Sequence, residues 1–143
     1  MAGVEIITIF DQLPEMGPIL RKACGQIVRK AAFDIQATAQ TMAKVRSGYM
    51  KSTVYVVTNN ESTYGVGFME PPPNTEPLPE VPHPTTDLEA IVAVGANYAV
   101  YVELGTQDME PQPFMTPAAG FVEPQFQAAM LALEAKMREL GAI

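Results

Sequence analysis

The spacing of apolar residues predicts one long helix in the first half of the chain. From Ile19 to about Arg46, apolar residues recur at steps of three and four, which places them on one helical face, while most basic residues fall outside it. The stripe consists of Leu20, Cys24, Ile27, Ala31, Ile35, Ala39 and Met42. We expect Gly48, just beyond this segment, to end the helix in the left-handed conformation.

Runs of β-branched and aromatic residues predict four short strands. The first covers residues 4–10. Residues 50–58 and 63–69 flank a polar turn and predict a β-hairpin, and the apolar run 87–96 is expected to pair with it. Alternation in the first hairpin strand places its side chains on two faces, with Val54, Val56 and Thr58 on one and Thr53, Tyr55 and Val57 on the other.

A proline-rich segment separates the hairpin from the strand that follows. Seven of the fifteen residues in 70–84 are proline, which excludes a helix and a central strand. We interpret residues 70–84 as an extended, exposed excursion between two strands.

The last third of the chain is predicted to be mostly helical. Residues 97–106 fit either a continued strand or a short helix, and Asn97 as N-cap with Gly105 after the last turn favours the helix. Thr116 before a proline is typical of a helix start, but Gly120 and Pro124 interrupt the pattern, so the main C-terminal helix is expected to begin near Pro124. Its apolar stripe is Phe126, Met130, Leu133, Met137 and Leu140.

Together these elements predict an α+β fold, a small antiparallel sheet packed with one long N-terminal helix and a C-terminal helix. The predicted order is β-α-β-β-β-α-α. The length of 143 residues is that of one domain, so residues 1–143 are expected to fold as a single unit.

The charge distribution narrows the possible functions. The net charge of −7 argues against a general nucleic-acid binder and against a protein that binds anionic membranes. Residues 1–52 carry +3 and residues 53–143 carry −10. This asymmetry suggests contact between a basic face of one copy and an acidic face of the next, although charged surfaces are often merely solvated.

The sequence offers little for catalysis. Cys24 is the only cysteine, so an internal disulfide and a paired-cysteine zinc site are excluded, and its place on the apolar stripe predicts a buried thiol. His83, the only histidine, is expected to be exposed and inert in the proline-rich segment. Phosphate-binding glycine motifs and a membrane-spanning run are absent from the sequence, and the first residues are not expected to act as a signal peptide. We therefore expect no cofactor.

Three carboxylates near a Gly-Thr turn leave one enzymatic alternative open. Glu103, Asp108 and Glu110 could act as acid and base or hold Mg²⁺, which would make the chain a small metal-dependent enzyme. The simpler interpretation is that they are surface acids.

The loop 107–117 combines stiffness with apolar side chains. Its prolines lower the entropy cost of docking, and Met109, Phe114 and Met115 offer adaptable anchors for a partner. The alternative is a loop folded over its own core.

Two segments of the sequence carry a family resemblance. The first is Ser47-Gly48-Tyr49-Met50-Lys51-Ser52-Thr53-Val54, after the long helix. The second is Tyr98-Ala99-Val100-Tyr101-Val102-Glu103-Leu104-Gly105-Thr106, followed by Met109, Gln112-Pro113-Phe114-Met115 and Pro117-Ala118. The chain resembles the tailed-phage neck and minor-tail-component family typified by gene product ten of the Hong Kong lambdoid phage.

The resemblance implies a structural protein of the virion without catalytic activity. It implies a homo-oligomeric ring of six or twelve copies at the head–tail junction, between a head connector or stopper protein and a tail terminator or tail tube protein, with genomic DNA passing through the channel without specific binding. A tail terminator or other minor tail protein is the alternative within the same class. The residues expected to form interfaces are Tyr98, Tyr101, Glu103, Met109, Gln112, Pro113, Phe114 and Met115.

Overall fold

The protein is an α+β structure, as the sequence predicts. The computed structural model describes residues 4–8, by their backbone, and residues 17–43 and 48–139. The elements are β1 (Val4–Thr8), α1 (Pro18–Met42), α2 (Tyr49–Ser52), β2 (Val54–Val57), β3 (Glu89–Val94), α3 (Ala99–Leu104) and α4 (Met115–Glu139). The two long helices, α1 and α4, pack against each other beside the sheet.

The sheet has three antiparallel strands in the order β1-β3-β2. β3 is central because it pairs with β1 on one edge and with β2 on the other, and its predicted pairing with β2 is confirmed. In the β1–β3 pair Val4 lies opposite Ala93, and in the β2–β3 pair Val54 lies opposite Val94. Residues 9 and 10 of the predicted first strand lie outside the described residues.

Helix α1 follows the predicted stripe through its middle. Cys24, Ala31, Ile35 and Ala39 are buried, together with Val28 and Ala32, whereas Leu20 and Ile27 are half-buried and Met42 is exposed. The buried Cys24 confirms that prediction, and burial raises the pKa of its thiol.

The predicted end of this helix near Arg46 is wrong, because α1 ends at Met42. Ala43 turns to an extended conformation, with its backbone N–H still bonded to the Ala39 carbonyl at 2.9 Å. Gly48 is left-handed as predicted, with φ +82°, but it begins α2. Residues 44–47, which include Ser47, lie outside the described residues.

The second strand of the predicted hairpin does not form. After β2 the chain turns back over Thr58–Glu61 and pairs briefly where Val57 bridges Ser62. Residues 64–67 then form a turn in which Gly65 and Gly67 take positive φ values of 83° and 74°. These left-handed glycines end the pairing on this edge of β2, while its other edge pairs with β3.

The proline-rich segment is extended, but it does not project freely. The Leu78 N–H donates to the Gly95 carbonyl at 2.7 Å, and the Val81 N–H donates to the Tyr55 hydroxyl at 3.1 Å. Pro84 is buried, while His83 is exposed as expected, with its Nδ1 2.7 Å from the Thr58 carbonyl. The segment is thus fastened to the sheet, and its Val81 joins Tyr64 and Phe68 in covering the sheet face away from the helices.

The two faces of β2 follow the predicted alternation. Val54 and Val56 pack in the core between the sheet and the helices. Tyr55 and Val57 pack on the opposite face with Tyr64, Phe68 and Val81. Since both faces are covered, all four residues of β2 are buried.

Helix α4 begins earlier than the sequence suggests. It starts at Met115 and continues through Gly120 and Pro124 without interruption, so the predicted start near Pro124 is wrong. Proline removes one hydrogen bond to the carbonyl four residues earlier, here that of Gly120. Both residues are exposed, so water can satisfy that carbonyl. Leu140 of the predicted stripe lies outside the described residues.

The short helix α3 confirms the favoured interpretation of residues 97–106. Gly105 is its C-cap, as expected, but Tyr98 and not Asn97 is the N-cap residue, and its side chain makes no capping hydrogen bond.

Candidate functional site

The two segments that carry the family resemblance meet at one corner of the molecule. The Tyr49 and Tyr98 rings lie 6.5 Å apart between their centroids. The buried Thr53 hydroxyl accepts a hydrogen bond from the Ala96 N–H at 3.0 Å and donates to the Met50 carbonyl at 2.8 Å. These contacts fasten α2 to the chain that enters α3.

Glu103 joins α3 to the start of α4. Its carboxylate accepts hydrogen bonds from the backbone N–H groups of Phe114, Met115 and Thr116, at 3.0, 2.9 and 3.1 Å. A helix leaves its first N–H groups without partners inside the helix and favours negative charge there. Glu103 therefore supplies from another helix the N-terminal cap that α4 needs.

The electrostatics of Glu103 follow from this geometry. Burial alone would raise the pKa of its carboxyl, but hydrogen bonds from the Phe114, Met115 and Thr116 backbones, with one from the Thr116 side chain, outweigh burial and lower it. The ionised carboxylate is thus the form that the fold holds.

The loop between α3 and α4 is tied at three points. Gly105 has φ +78°, and a Cβ there would lie 2.8 Å from the Pro111 ring, so glycine is required. The Thr106 N–H donates to the Met109 carbonyl at 2.8 Å, and the Gln112 N–H donates to the Val102 carbonyl at 2.8 Å. The loop is held by its own backbone in one shape.

The structure divides the predicted interface residues into two groups. Tyr101 is 58% exposed, Pro113 is exposed, and three others are partly exposed: Tyr98, Met109 and Gln112. Phe114 is fully buried, Met115 is 4% exposed and Glu103 is 9% exposed.

The prediction that Phe114 and Met115 are exposed anchors is therefore wrong. Both pack in the core of their own chain, beside Ala118 and Val122, because the Glu103 cap draws the end of the loop inward. Their role in this conformation is to hold the loop, whose outer side faces solvent.

Leu104 is a surface residue that the sequence argument missed. It is 69% exposed and lies three positions after Tyr101 on α3, so both point to the same side. The sequence carries a signal for this residue, because positions i and i+3 share a helical face and Tyr101 is already among the expected interface residues. Asp108 and Glu110 on the adjoining loop are also exposed.

The three carboxylates of the enzymatic alternative do not converge. Glu103 faces the α4 backbone, while Asp108 and Glu110 lie on exposed positions of the loop. Among residues 17–43 and 48–139, His, Cys, Asp and Glu side chains form no cluster that could hold a metal ion.

Several basic residues of α1 are paired within the chain. Arg21 contacts Asp87 at 2.8 Å, Lys30 contacts Asp34 at 2.6 Å, and Arg29 forms an ion pair with Glu61. Arg29, Glu61 and Asp87 also line a surface cleft of about 200 Å³. The positive charge of the first half is thus partly neutralised inside one copy.

None of the described helices has both the length and the hydropathy needed to cross a membrane.

Comparison with known proteins gives a family assignment. No curated protein and no solved structure matches the chain significantly. Residues 7–105, more than two thirds of the sequence, match the model of the HK97-gp10-like family, described as "Bacteriophage HK97-gp10, putative tail-component". The chain therefore belongs to this family, whose description is that of a phage tail component.

Proposed function

We propose that the protein is a structural component of the head–tail junction of a tailed phage, where copies form a ring between the connector or stopper and the tail. The observation that carries this proposal is the fixed unit built from α3, its loop and the start of α4. On its inner side, the Glu103 carboxylate accepts hydrogen bonds and the Phe114 ring is buried, both within the same chain. Its outer side presents Tyr101 and Leu104 to solvent.

Exposed tyrosine and leucine on a rigid support are suited to binding another protein. Tyrosine is enriched among the residues that dominate interface energies, and a loop held in one shape loses little entropy on docking. The residues that we assign to this contact are Tyr98, Tyr101, Met109, Gln112 and Pro113, with Leu104 added. Glu103, Phe114 and Met115 support it from inside.

The acidic composition supports a position beside a DNA channel. A net charge of −7 makes the protein repel the DNA phosphates, so DNA passes without specific binding. Catalysis has no part in this proposal, since Glu103 is fully occupied by the α4 backbone.

The proposal is tested with Tyr101→Asp in the phage that encodes this chain. We expect heads and tails to form but to remain unjoined, as counted by electron microscopy of the lysate. Val66→Asp is the matched control, because Val66 is a comparably exposed apolar residue, at 70%, on the 64–67 turn.

Normal joining of heads and tails with Tyr101→Asp would contradict the proposed contact surface. Cryo-electron microscopy of the virion then locates the ring, and density for this chain at the tail tip would reject the junction. A position at the upper end of the tail tube would favour the tail terminator.

A further inference from the structure

The two outer edges of the sheet are finished differently. β1 and β2 are the edge strands, because β3 lies between them. The backbone N–H and C=O groups of an edge strand that point away from the sheet are a template on which a strand of another chain can pair, unless something closes the edge. The state of these groups therefore decides whether each edge can take a further strand.

The hydrogen-bond pattern fixes which residues of β2 point outward. The Gly95 N–H donates to the Thr53 carbonyl at 2.9 Å, in the pair next to β2. Opposed residues of antiparallel strands alternate between pairs that exchange hydrogen bonds and pairs that do not. The backbone groups of Val54 and Val56 therefore point away from β3.

The outward groups of β2 have partners within the chain. The Val56 N–H donates to the Thr63 hydroxyl at 2.9 Å, and the Val56 carbonyl accepts from the Thr63 N–H at 2.9 Å. The Val54 carbonyl accepts a hydrogen bond from the Gln36 side chain at 2.9 Å. This edge of the sheet is thus closed to a further strand.

The outward groups of β1 differ in this respect. By the same alternation, Val92 bonds to β1 and lies opposite Glu5, and Ala90 does so opposite Ile7. The backbone groups of the other residues of β1 point away from the sheet, and we call them the open edge: Val4, Ile6 and Thr8. No strand within residues 17–43 and 48–139 pairs with the open edge.

The sequence of β1 suits the addition of a strand. Natural edge strands often carry proline or lysine, which prevents pairing with another chain. Residues Val4–Thr8 contain neither, and most of them are β-branched, the type of residue that strands favour. Glu5 is the only charged residue of the segment.

A second copy of the chain presents the matching edge. Strands pair through N–H and C=O groups that are free on both partners, and among the described strands only β1 has such an edge, since β2 is closed and β3 is central. We infer that β1 pairs with β1 of a second copy, antiparallel and centred on Ile6. The two sheets then form one continuous sheet across a two-fold axis.

The centre on Ile6 follows from the register. It pairs the whole of β1, places Val4 opposite Thr8 of the second copy, and makes every residue of the open edge part of a hydrogen-bonded pair. Glu5 then lies opposite Ile7. A pair centred on Glu5 would join fewer residues and would set two carboxylates opposite each other, which is unfavourable.

This contact goes beyond the proposed function, and it uses neither α3 nor its loop. A contact across a two-fold axis is complete with two copies, because the same surface of each copy is used. The dimer is therefore expected in the isolated protein, whatever other contacts the chain makes in an assembly.

Paired cysteines test the register. An equimolar mixture of full-length Val4→Cys and Thr8→Cys is oxidised and analysed by non-reducing electrophoresis and mass spectrometry. The two Cα atoms of this bonded pair should lie about 5.5 Å apart, within the range of a disulfide, so a linked dimer with one chain of each variant should form. Each variant alone is the control, because its two copies of the same position lie about 14 Å apart along the strands and should not be linked.

Proline on the open edge tests the backbone hydrogen bonds. Ile6→Pro removes an N–H that points away from β3, a place where an edge strand tolerates proline. It should weaken self-association about tenfold or more in sedimentation velocity, since both copies lose a central hydrogen bond. Ile6→Ala is the matched control, because it also loses the side chain but keeps the N–H, and it should weaken self-association less. Circular dichroism checks that both variants are folded.

Three outcomes would overturn the inference. The first is wild-type protein that stays monomeric up to about 1 mM, where even a weak contact is half formed. The second is a mixture of Val4→Cys and Thr8→Cys that gives no more disulfide-linked dimer than either variant alone. The third is folded Ile6→Pro that self-associates as strongly as Ile6→Ala.

Discussion

The two ends of α4 are made of similar residues but are stabilised differently. At the first end, Met115, Ala118 and Val122 are buried and Glu103 caps the backbone. At the other end apolar residues are equally frequent, yet each is at least partly exposed. The first end is packed within its own chain, whereas the second leaves apolar side chains in contact with solvent.

The largest effect that distinguishes the two ends is expected from matched phenylalanine truncations. Phe114→Ala removes a fully buried ring and should lower the free energy of unfolding by about 3–5 kcal/mol. Phe121→Ala, at an exposed position of α4, should change it by less than about 0.5 kcal/mol. Urea denaturation measures both, and equal losses would show that the two ends do not differ.

The next effect concerns the cap. Glu103→Gln keeps the size of the side chain but removes its charge, and it should cost about 2 kcal/mol because hydrogen bonds to the α4 backbone weaken. Glu123→Gln, an exposed change within α4, is the control and should be close to neutral.

The same cap predicts a pH dependence. Because the folded state lowers the pKa of Glu103, its contribution is complete above the ordinary glutamate pKa, about 4.3, and is lost as pH falls through the lower folded value. The difference in stability between wild type and Glu103→Gln should therefore shrink below about pH 4. A constant difference from pH 7 to pH 3 in urea titrations would contradict the role of the charge.

The smallest effect concerns two glycines on either side of the cap. Gly105→Ala places a methyl group against Pro111 at positive φ and should destabilise by about 1–2 kcal/mol. Gly120→Ala, within α4 and with open space around it, should stabilise by about 0.5–1 kcal/mol. Melting temperatures that shift in the same direction for both variants would contradict this assignment.

Sequence patterns predicted the elements well wherever local periodicity decided them. The alternation of Val54 and Tyr55 and the middle of the α1 stripe follow from spacing alone, and the structure confirms both. The sequence signals the start of α4 locally, at Thr116 before a proline, but no local pattern indicates that its cap comes from Glu103, eleven residues before Phe114. Long-range hydrogen bonds of this kind leave no periodic signal.

The interface prediction failed in part for the same reason. Proline, phenylalanine and methionine in one loop suggested an exposed surface, and nothing local indicated that Phe114 turns inward. The position of the proline-rich segment also depends on long-range contacts. It is hydrogen-bonded to Gly95 and Tyr55, which are distant from it in the sequence.

The length of α4 gives the Glu103 cap a mechanical consequence. A 25-residue helix is about 37 Å long, so a tilt of about 5° at the cap, taken up by sliding along α1, would carry the far end through about 3 Å. A small adjustment beside Gly105 would thus become a larger displacement at the distant tip of α4, where the side chains are at least partly exposed.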